Sequence, residues 1–179
     1  MTLRSIYIVF RFHLKDLLYN LIYPDQNIIN FKTFDPSIKQ KITKLKKTLK
    51  NLCPEGRLIL IGSTSLEIFG AGDIDVLFVS PKKLLTKYAE IISHHFNQKF
   101  HQTPEMYQWK FMYENEKVEL DLLSASSNRY KNQIAILKVL NDNKELLSKY
   151  IALKREVQGK PAWIYYLKRI FLFAQYTHL

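Results

Sequence analysis

A single cysteine, Cys53, stands among 179 residues, so no intramolecular disulfide can form and no zinc site can be built on clustered thiolates. That scarcity agrees with a reducing compartment, for which the cytoplasm is the default expectation. Long apolar runs are missing too. The most apolar opening stretch, Leu3 to Tyr23, is interrupted by Arg4, Arg11, His13, Lys15 and Asp16, well short of the ~20 apolar residues a membrane span needs. Neither an export signal nor a membrane anchor is expected, and a membrane is not among the expected partners. Internal repeats, low-complexity tracts and long linkers are also absent. Acidic residues are in short supply, 16 Asp and Glu against 27 Lys and Arg, for a formal net charge of +11. Such a surplus favours polyanions: nucleoside triphosphates, RNA or an acidic membrane face. Lysine is spread along the whole chain, however, so charge alone does not separate recognition from compositional bias.

What is present suits a globular fold. Hydrophobic residues make up 47% and charged residues 24%, which excludes a disordered chain, a collagen-like repeat and a membrane bundle. The length allows one domain with one hydrophobic core. We expect residues 1–30 as an N-terminal helical extension, 31–127 as the core, and 128–179 as a C-terminal helical part of the same domain. In the extension, Ile6, Val9, Phe10, Leu14, Leu17, Leu18 and Leu21 recur at helical spacing up to Pro24. Asp35 as cap and Pro36 in the first turn introduce a lysine-rich helix to about Leu52. Pro54 and Gly56 end it before Arg57 to Ile61, a short apolar run with the length of a buried strand. A second strand, Ile74 to Val79, precedes Ser80-Pro81 and a helix to about Phe96. Gln108 to Tyr113 and Lys117 to Leu123 read as a hairpin turning at Glu114-Asn115-Glu116. Helices follow, with Asn141 or Asp142 capping one that runs to about Val157 and Gly159-Lys160-Pro161 introducing another. The expected architecture is α/β: a mixed sheet of three to five strands, packed helices, and a helical C-terminal part forming one wall of a cleft.

The chemistry is concentrated in Gly62-Ser63, then nine residues, then Asp73-Ile74-Asp75-Val76, and about 45 residues later Glu119-Leu120-Asp121. Side chains alternate along a strand, so Asp73 and Asp75 project together while Ile74 and Val76 enter the opposite, buried layer. Two carboxylates at that spacing repel unless a cation lies between them, and hard oxygen donors favour Mg2+ or Mn2+ bound together with phosphate oxygens. Asp121, from the hairpin, is the expected third carboxylate and the general base or its metal-bound equivalent; Glu119 shares its face and is the fallback. Gly62 permits close backbone approach to a phosphate, and Ser63 offers a hydroxyl at the start of a short helix running through Leu66 and Ile68. Lys154 and Lys168, on the tail helices, are candidate triphosphate contacts. His94 and His95 are adjacent and diverge by about 100° on a helix, so they read as surface residues. Trp109, Tyr113, Trp163, Tyr165, Tyr166 and Phe171 read as core or helix-packing residues, and Cys53 has no evident acid-base partner.

These residues resemble the signature of DNA polymerase beta-like nucleotidyltransferases, a Gly-Ser followed by an Asp-x-Asp strand and a third acidic strand. More narrowly, Ile61-Gly62-Ser63-Thr64-Ser65 with Ile74-Asp75-Val76, and Tyr150-Ile151-Ala152-Leu153-Lys154 in the tail, look like the GrpB family over roughly residues 31–173. The chain departs from that family's common Val-Pro-Gly-Leu segment and Lys-Pro pair, having Leu66 to Asp73 there instead. The resemblance implies transfer of a nucleoside monophosphate from a triphosphate to a hydroxyl-type acceptor, with release of pyrophosphate. The acceptor, whether small molecule, protein or RNA, stays open, as do the preferred base and the oligomeric state. The rivals are an antibiotic- or tRNA-directed nucleotidyltransferase, a catalytically idle nucleotide- or RNA-binding module, and an interaction protein that uses the opening helix.

Overall fold

The computed structural model describes residues 28–176; the expected opening helix lies outside them. The described residues divide into two compact units, residues 33–139 and residues 28–32 with 140–176.

In the first unit, helix α1 (Ile38–Leu52) follows a turn in which the Asp35 carboxylate accepts from the N–H and the hydroxyl of Ser37, both at 2.8 Å. Asp35 therefore caps the turn ahead of the regular helix. Strand β1 (Arg57–Leu60) leads into a single helical turn, α2 (Gly62–Ser65), and then into β2 (Asp73–Val79). A 3-10 turn (Lys82–Leu84) stands between Pro81 and helix α3 (Leu85–Phe96), so the α-helix begins later than the Ser80-Pro81 signal suggests. The remaining strands are β3 (His101–Gln102), β4 (Met106–Tyr113) and β5 (Glu116–Leu123). Glu114 and Asn115, both at positive φ, make the two-residue turn of the β4–β5 hairpin. The two-residue β3 carries too little pattern to be read from sequence.

The five strands form one mixed sheet in the order β1-β2-β5-β4-β3. Only β2 and β5 are parallel, a pairing that requires a crossover, which α3, β3 and β4 supply. One sheet face packs on α1 and α3: Ile74, Val76, Phe78, Leu120 and Leu122 meet Leu45, Leu49, Ala89 and Ile92. Each such side chain contributes roughly 1.5–3 kcal/mol by leaving water, which fixes that face inward. Trp109, 1% exposed, belongs to this core and donates from Nε1 to Ser93 Oγ at 2.9 Å. The other face carries a smaller cluster, Ile61, Leu77, Val79 and Leu123, packed against Tyr130 and Leu137 of helix α4 (Asn128–Asp142).

The second unit holds α5 (Lys144–Glu156) and α6 (Ala162–Tyr176). Asn143, rather than Asn141 or Asp142, caps α5: its side chain accepts from Leu146 N at 2.9 Å, because α4 continues through Asp142. Residues 28–31 are stitched to the α5–α6 connection by Ile29 N to Lys160 O and Gly159 N to Ile29 O. Phe31 meets Tyr165 edge-on, and the hydroxyls of Tyr150 and Tyr165 lie 2.8 Å apart. Phe171 departs from the packing expected of it: it is 58% exposed, on the outward side of α6. No helix among the described residues is long and apolar enough to cross a membrane.

Cys53 is fully buried at the end of α1, and burial pushes its thiol up to about 11. The thiolate is the reactive form, so at neutral pH the native protein should react with a water-soluble maleimide only as fast as it opens. Denaturant should restore the rate of a free thiol; rapid labelling of the folded chain would contradict this packing.

Candidate active site

β2 begins directly after Gly72, whose φ of +79° makes the turn into the strand. Along it Asp73 and Asp75 are half-buried and Ile74 and Val76 are buried, the alternation that a half-covered strand imposes. The Gly62-Ser63 turn is fastened to this strand at two points. Thr64 Oγ1 donates to Asp73 O at 2.8 Å, and Ile61 N donates to Asp75 O at 2.9 Å. Gly62 sits at φ +68°, and a methyl group built on it would fall 2.3 Å from Asp75 Oδ2. The Asp75 carboxylate thus lies against the bare Cα of Gly62, and only glycine suits both the conformation and the space. The turn is shorter than expected: α2 ends at Ser65, and Glu67 at φ +54° prevents its continuation through Leu66 and Ile68. A single turn has little dipole, so any phosphate affinity here comes from local N–H and hydroxyl donors.

Parallel pairing decides the position of the third carboxylate. Asp75 lies opposite Glu119, while Asp121 lies opposite Leu77, one pleat further along the same face. Asp73, Asp75, Glu119 and Asp121 therefore share a face of two neighbouring strands. Asp121 is 3% exposed and fully engaged: Oδ2 accepts from Arg129 Nε at 2.8 Å and Nη2 at 2.5 Å, and Oδ1 accepts from Gln108 Nε2 at 2.9 Å. Glu119 accepts from Gln108 Nε2 at 2.7 Å and pairs with Lys110 Nζ at 2.7 Å. Among the described residues no group of three or more His, Cys, Asp or Glu side chains is gathered as a metal centre. Like charges do not converge of their own accord, and here the cations Arg129 and Lys110, with the amide of Gln108 as donor to both, hold the β5 carboxylates. The donors on β2 nonetheless suit a hard divalent cation, since both are carboxylates, half-buried on one face of the strand.

Arg129, Gln108 and Lys110 are absent from the sequence-based set. The hairpin turns on two residues, since Glu116 already pairs with Tyr113, and this register, one residue away from that of the expected three-residue turn, places Gln108 across from Asp121 and Lys110 across from Glu119. Arg129, in the first turn of α4, has no sequence signature. Lys154 and Lys168 belong to the other unit. Lys154 is 1% exposed, its ammonium 4.9 Å from the Phe31 ring centre and 5.0 Å from that of Tyr150; Lys168 Nζ donates to Glu156 Oε1 at 2.5 Å.

A family model described as GrpB protein matches residues 28–169. The chain belongs to the GrpB family. Among solved structures, this GrpB chain is similar to Cid1 studied for its RNA terminal uridylyl transferase activity, with TM-score 0.53, 14% identity, and 79% of this chain on 46% of that one. It is also similar to the MgGTP-bound Cid1 poly(U) polymerase, with TM-score 0.52, 13% identity, and 79% of this chain on 47% of that one. The GLD-2/RNP-8 complex gives TM-score 0.50, 11% identity, and 78% on 58%. At such identities the likeness is one of fold alone. The GrpB chain spans about half the length of these structures. No curated protein matches its sequence.

Two substitutions test the geometry. Gly62→Ala should lose about 1–2 kcal/mol from left-handed strain alone, with displacement of Asp75 adding to it, as read by urea denaturation. Wild-type stability would mean that the carboxylate does not need the bare Cα. Arg129→Ala leaves a buried Asp121 carboxylate without its cation and should cost about 3 kcal/mol or more, and Lys at this position should recover part of the loss.

Proposed function

We propose that this GrpB chain is a metal-dependent nucleotidyltransferase that moves a nucleoside monophosphate from a nucleoside triphosphate to a hydroxyl-type acceptor. The observation that carries the reading is the contact of Gly62 with Asp75, reinforced by the Thr64 and Ile61 bonds to the backbone of Asp73 and Asp75. A small, hydroxyl-bearing turn is thereby held against paired acidic side chains, as a site for phosphate and cation together requires.

In this reading Asp73 and Asp75 hold Mg2+ or Mn2+, and Gly62 and Ser63 face the phosphates, Gly62 through its backbone and Ser63 through its hydroxyl. The bound cation would supply charge neutralisation at the phosphate oxygens. The acceptor oxygen bonds to the α-phosphorus as the bond to pyrophosphate breaks, and the acceptor's proton passes to a carboxylate oxygen of Asp121. The Arg129 guanidinium occupies Oδ2, which leaves Oδ1, bonded once by Gln108, as the oxygen for that proton. Lys154, 1% exposed, and Lys168, paired with Glu156, take no part in this reading. Cytoplasmic residence accords with the single cysteine.

The Arg129–Asp121 pair also supports a second reading, a catalytically idle nucleotide- or RNA-binding module in which arginine permanently replaces a cation. Asp73→Asn with Asp75→Asn separates the two. An enzyme should lose at least about a hundredfold in transfer of labelled nucleotide from any of the four triphosphates, along with its Mg2+-dependent rise in thermal stability. An idle module should show no transfer before or after substitution. If neither magnesium nor any triphosphate shifts the melting temperature of the unmodified chain, the nucleotidyltransferase assignment fails.

A further inference from the structure

A second concavity lies at the far end of the strands that carry the acidic pair. Asp73 and Val79 are six residues apart along β2, about 20 Å at ~3.3 Å per residue, so this end is remote from Asp73, while Asp121, opposite Leu77, lies two residues short of it. There the start of β1 and the ends of β2 and β5 open onto a cleft of about 480 Å³. Three cationic residues line it, Lys50, Arg57 and Lys82, against a single acidic one, Glu55. Arg57 is oriented by a bond from Nη2 to the Tyr130 hydroxyl at 2.7 Å, which leaves its Nε and Nη1 donors without a partner among the described residues. Lys82 makes no ion pair among the described residues, and Lys50 uses one donor on Pro54 O at 2.5 Å. Hydroxyls complete the lining. Ser124, only 7% exposed, shares a 2.5 Å hydrogen bond with Ser126, so one proton of the pair is left to point elsewhere.

We propose that this cleft is a separate binding site for a phosphate group. Surplus positive charge, a guanidinium with unspent donors held in place by Tyr130, and neighbouring hydroxyls are the chemistry that recognises a phosphate oxyanion. The volume falls within the ~300–1,000 Å³ of small-ligand sites and exceeds a bare phosphate, leaving room for whatever carries it. The site does not depend on the nucleotidyltransferase reading: no residue is shared with Asp73, Asp75, Asp121, Gly62 or Ser63.

The test uses the full chain, with inorganic phosphate as one probe and a labelled 12-nucleotide RNA as the other, at controlled ionic strength. Arg57→Gln with Lys82→Gln should weaken phosphate binding by roughly tenfold or more. Lys82→Glu alone, at a residue without a partner to lose, should weaken it as well and guards against misfolding of the double variant. Asp73→Asn with Asp75→Asn should leave it unchanged, so failure here and failure of the catalytic reading are told apart. If the phosphate belongs to a nucleic-acid backbone, RNA binding falls too and the slope of log affinity against log salt drops by about one per cation removed. If it belongs to a small molecule, phosphate affinity falls and RNA binding does not change. Unaltered binding of both probes in the cleft variants, or binding of neither by the unmodified chain, overturns the proposal.

Discussion

The register between β2 and β5 is the constraint from which the candidate site follows. Side chains alternate with a period of two, so the pairing that buries Ile74, Val76 and Phe78 with Leu120 and Leu122 must also bring Asp73, Asp75, Glu119 and Asp121 to the other face. A slip of β5 by one residue would turn its two carboxylates, Glu119 and Asp121, into the core beneath α1 and α3. The apolar layer therefore selects the position of the acidic one, and the helices that cover the first face contribute to the site without touching it. Further along β2 the second face becomes apolar, with Leu77 and Val79 beneath α4, so a single sheet surface is polar at one end and packed at the other.

Acidic residues collected on one face need counter-charge, and the chain meets that need in two ways. On β5 the compensation is internal: Arg129 and Gln108 engage Asp121, while Lys110 and Gln108 engage Glu119. On β2 the carboxylate of Asp75 lies beside a glycine instead, with the Gly62 turn tied to the strand backbone. The two strands thus present their carboxylates differently, those of β5 within a network of Arg129, Gln108 and Lys110 and that of Asp75 against the Gly62 turn.

In the unit comprising the segment before Thr33 and the chain from Leu140 onward, packing is aromatic. The ammonium of Lys154 lies over the rings of Phe31 and Tyr150, which pack in turn on Tyr165 and Phe173. A buried ammonium on aromatic faces keeps part of its electrostatic compensation from the ring quadrupoles. Here a residue that composition alone would place in solvent has become part of a core.

Sequence by itself determined the elements and the family. The period-two and helical patterns, with Pro and Gly as punctuation, located β1, β2, the hairpin and the described helices, and marked Gly62-Ser63, Asp73, Asp75 and Asp121 as candidates because residue type and spacing are tied to local backbone geometry. β3 was too short to leave a pattern, Phe171 followed the helical period yet faces outward, and the cap Asn143 lies one or two residues beyond the positions that local propensity marked. Only the tertiary structure decided that Asp75 is opposite Glu119 and Asp121 opposite Leu77, that Arg129 holds Asp121, and that Lys50, Arg57 and Lys82 border a common cleft. The physical reason is range: propensity and alternation act over a few neighbouring residues, whereas register, ion pairing and the meeting of distant loops depend on how the whole sheet closes.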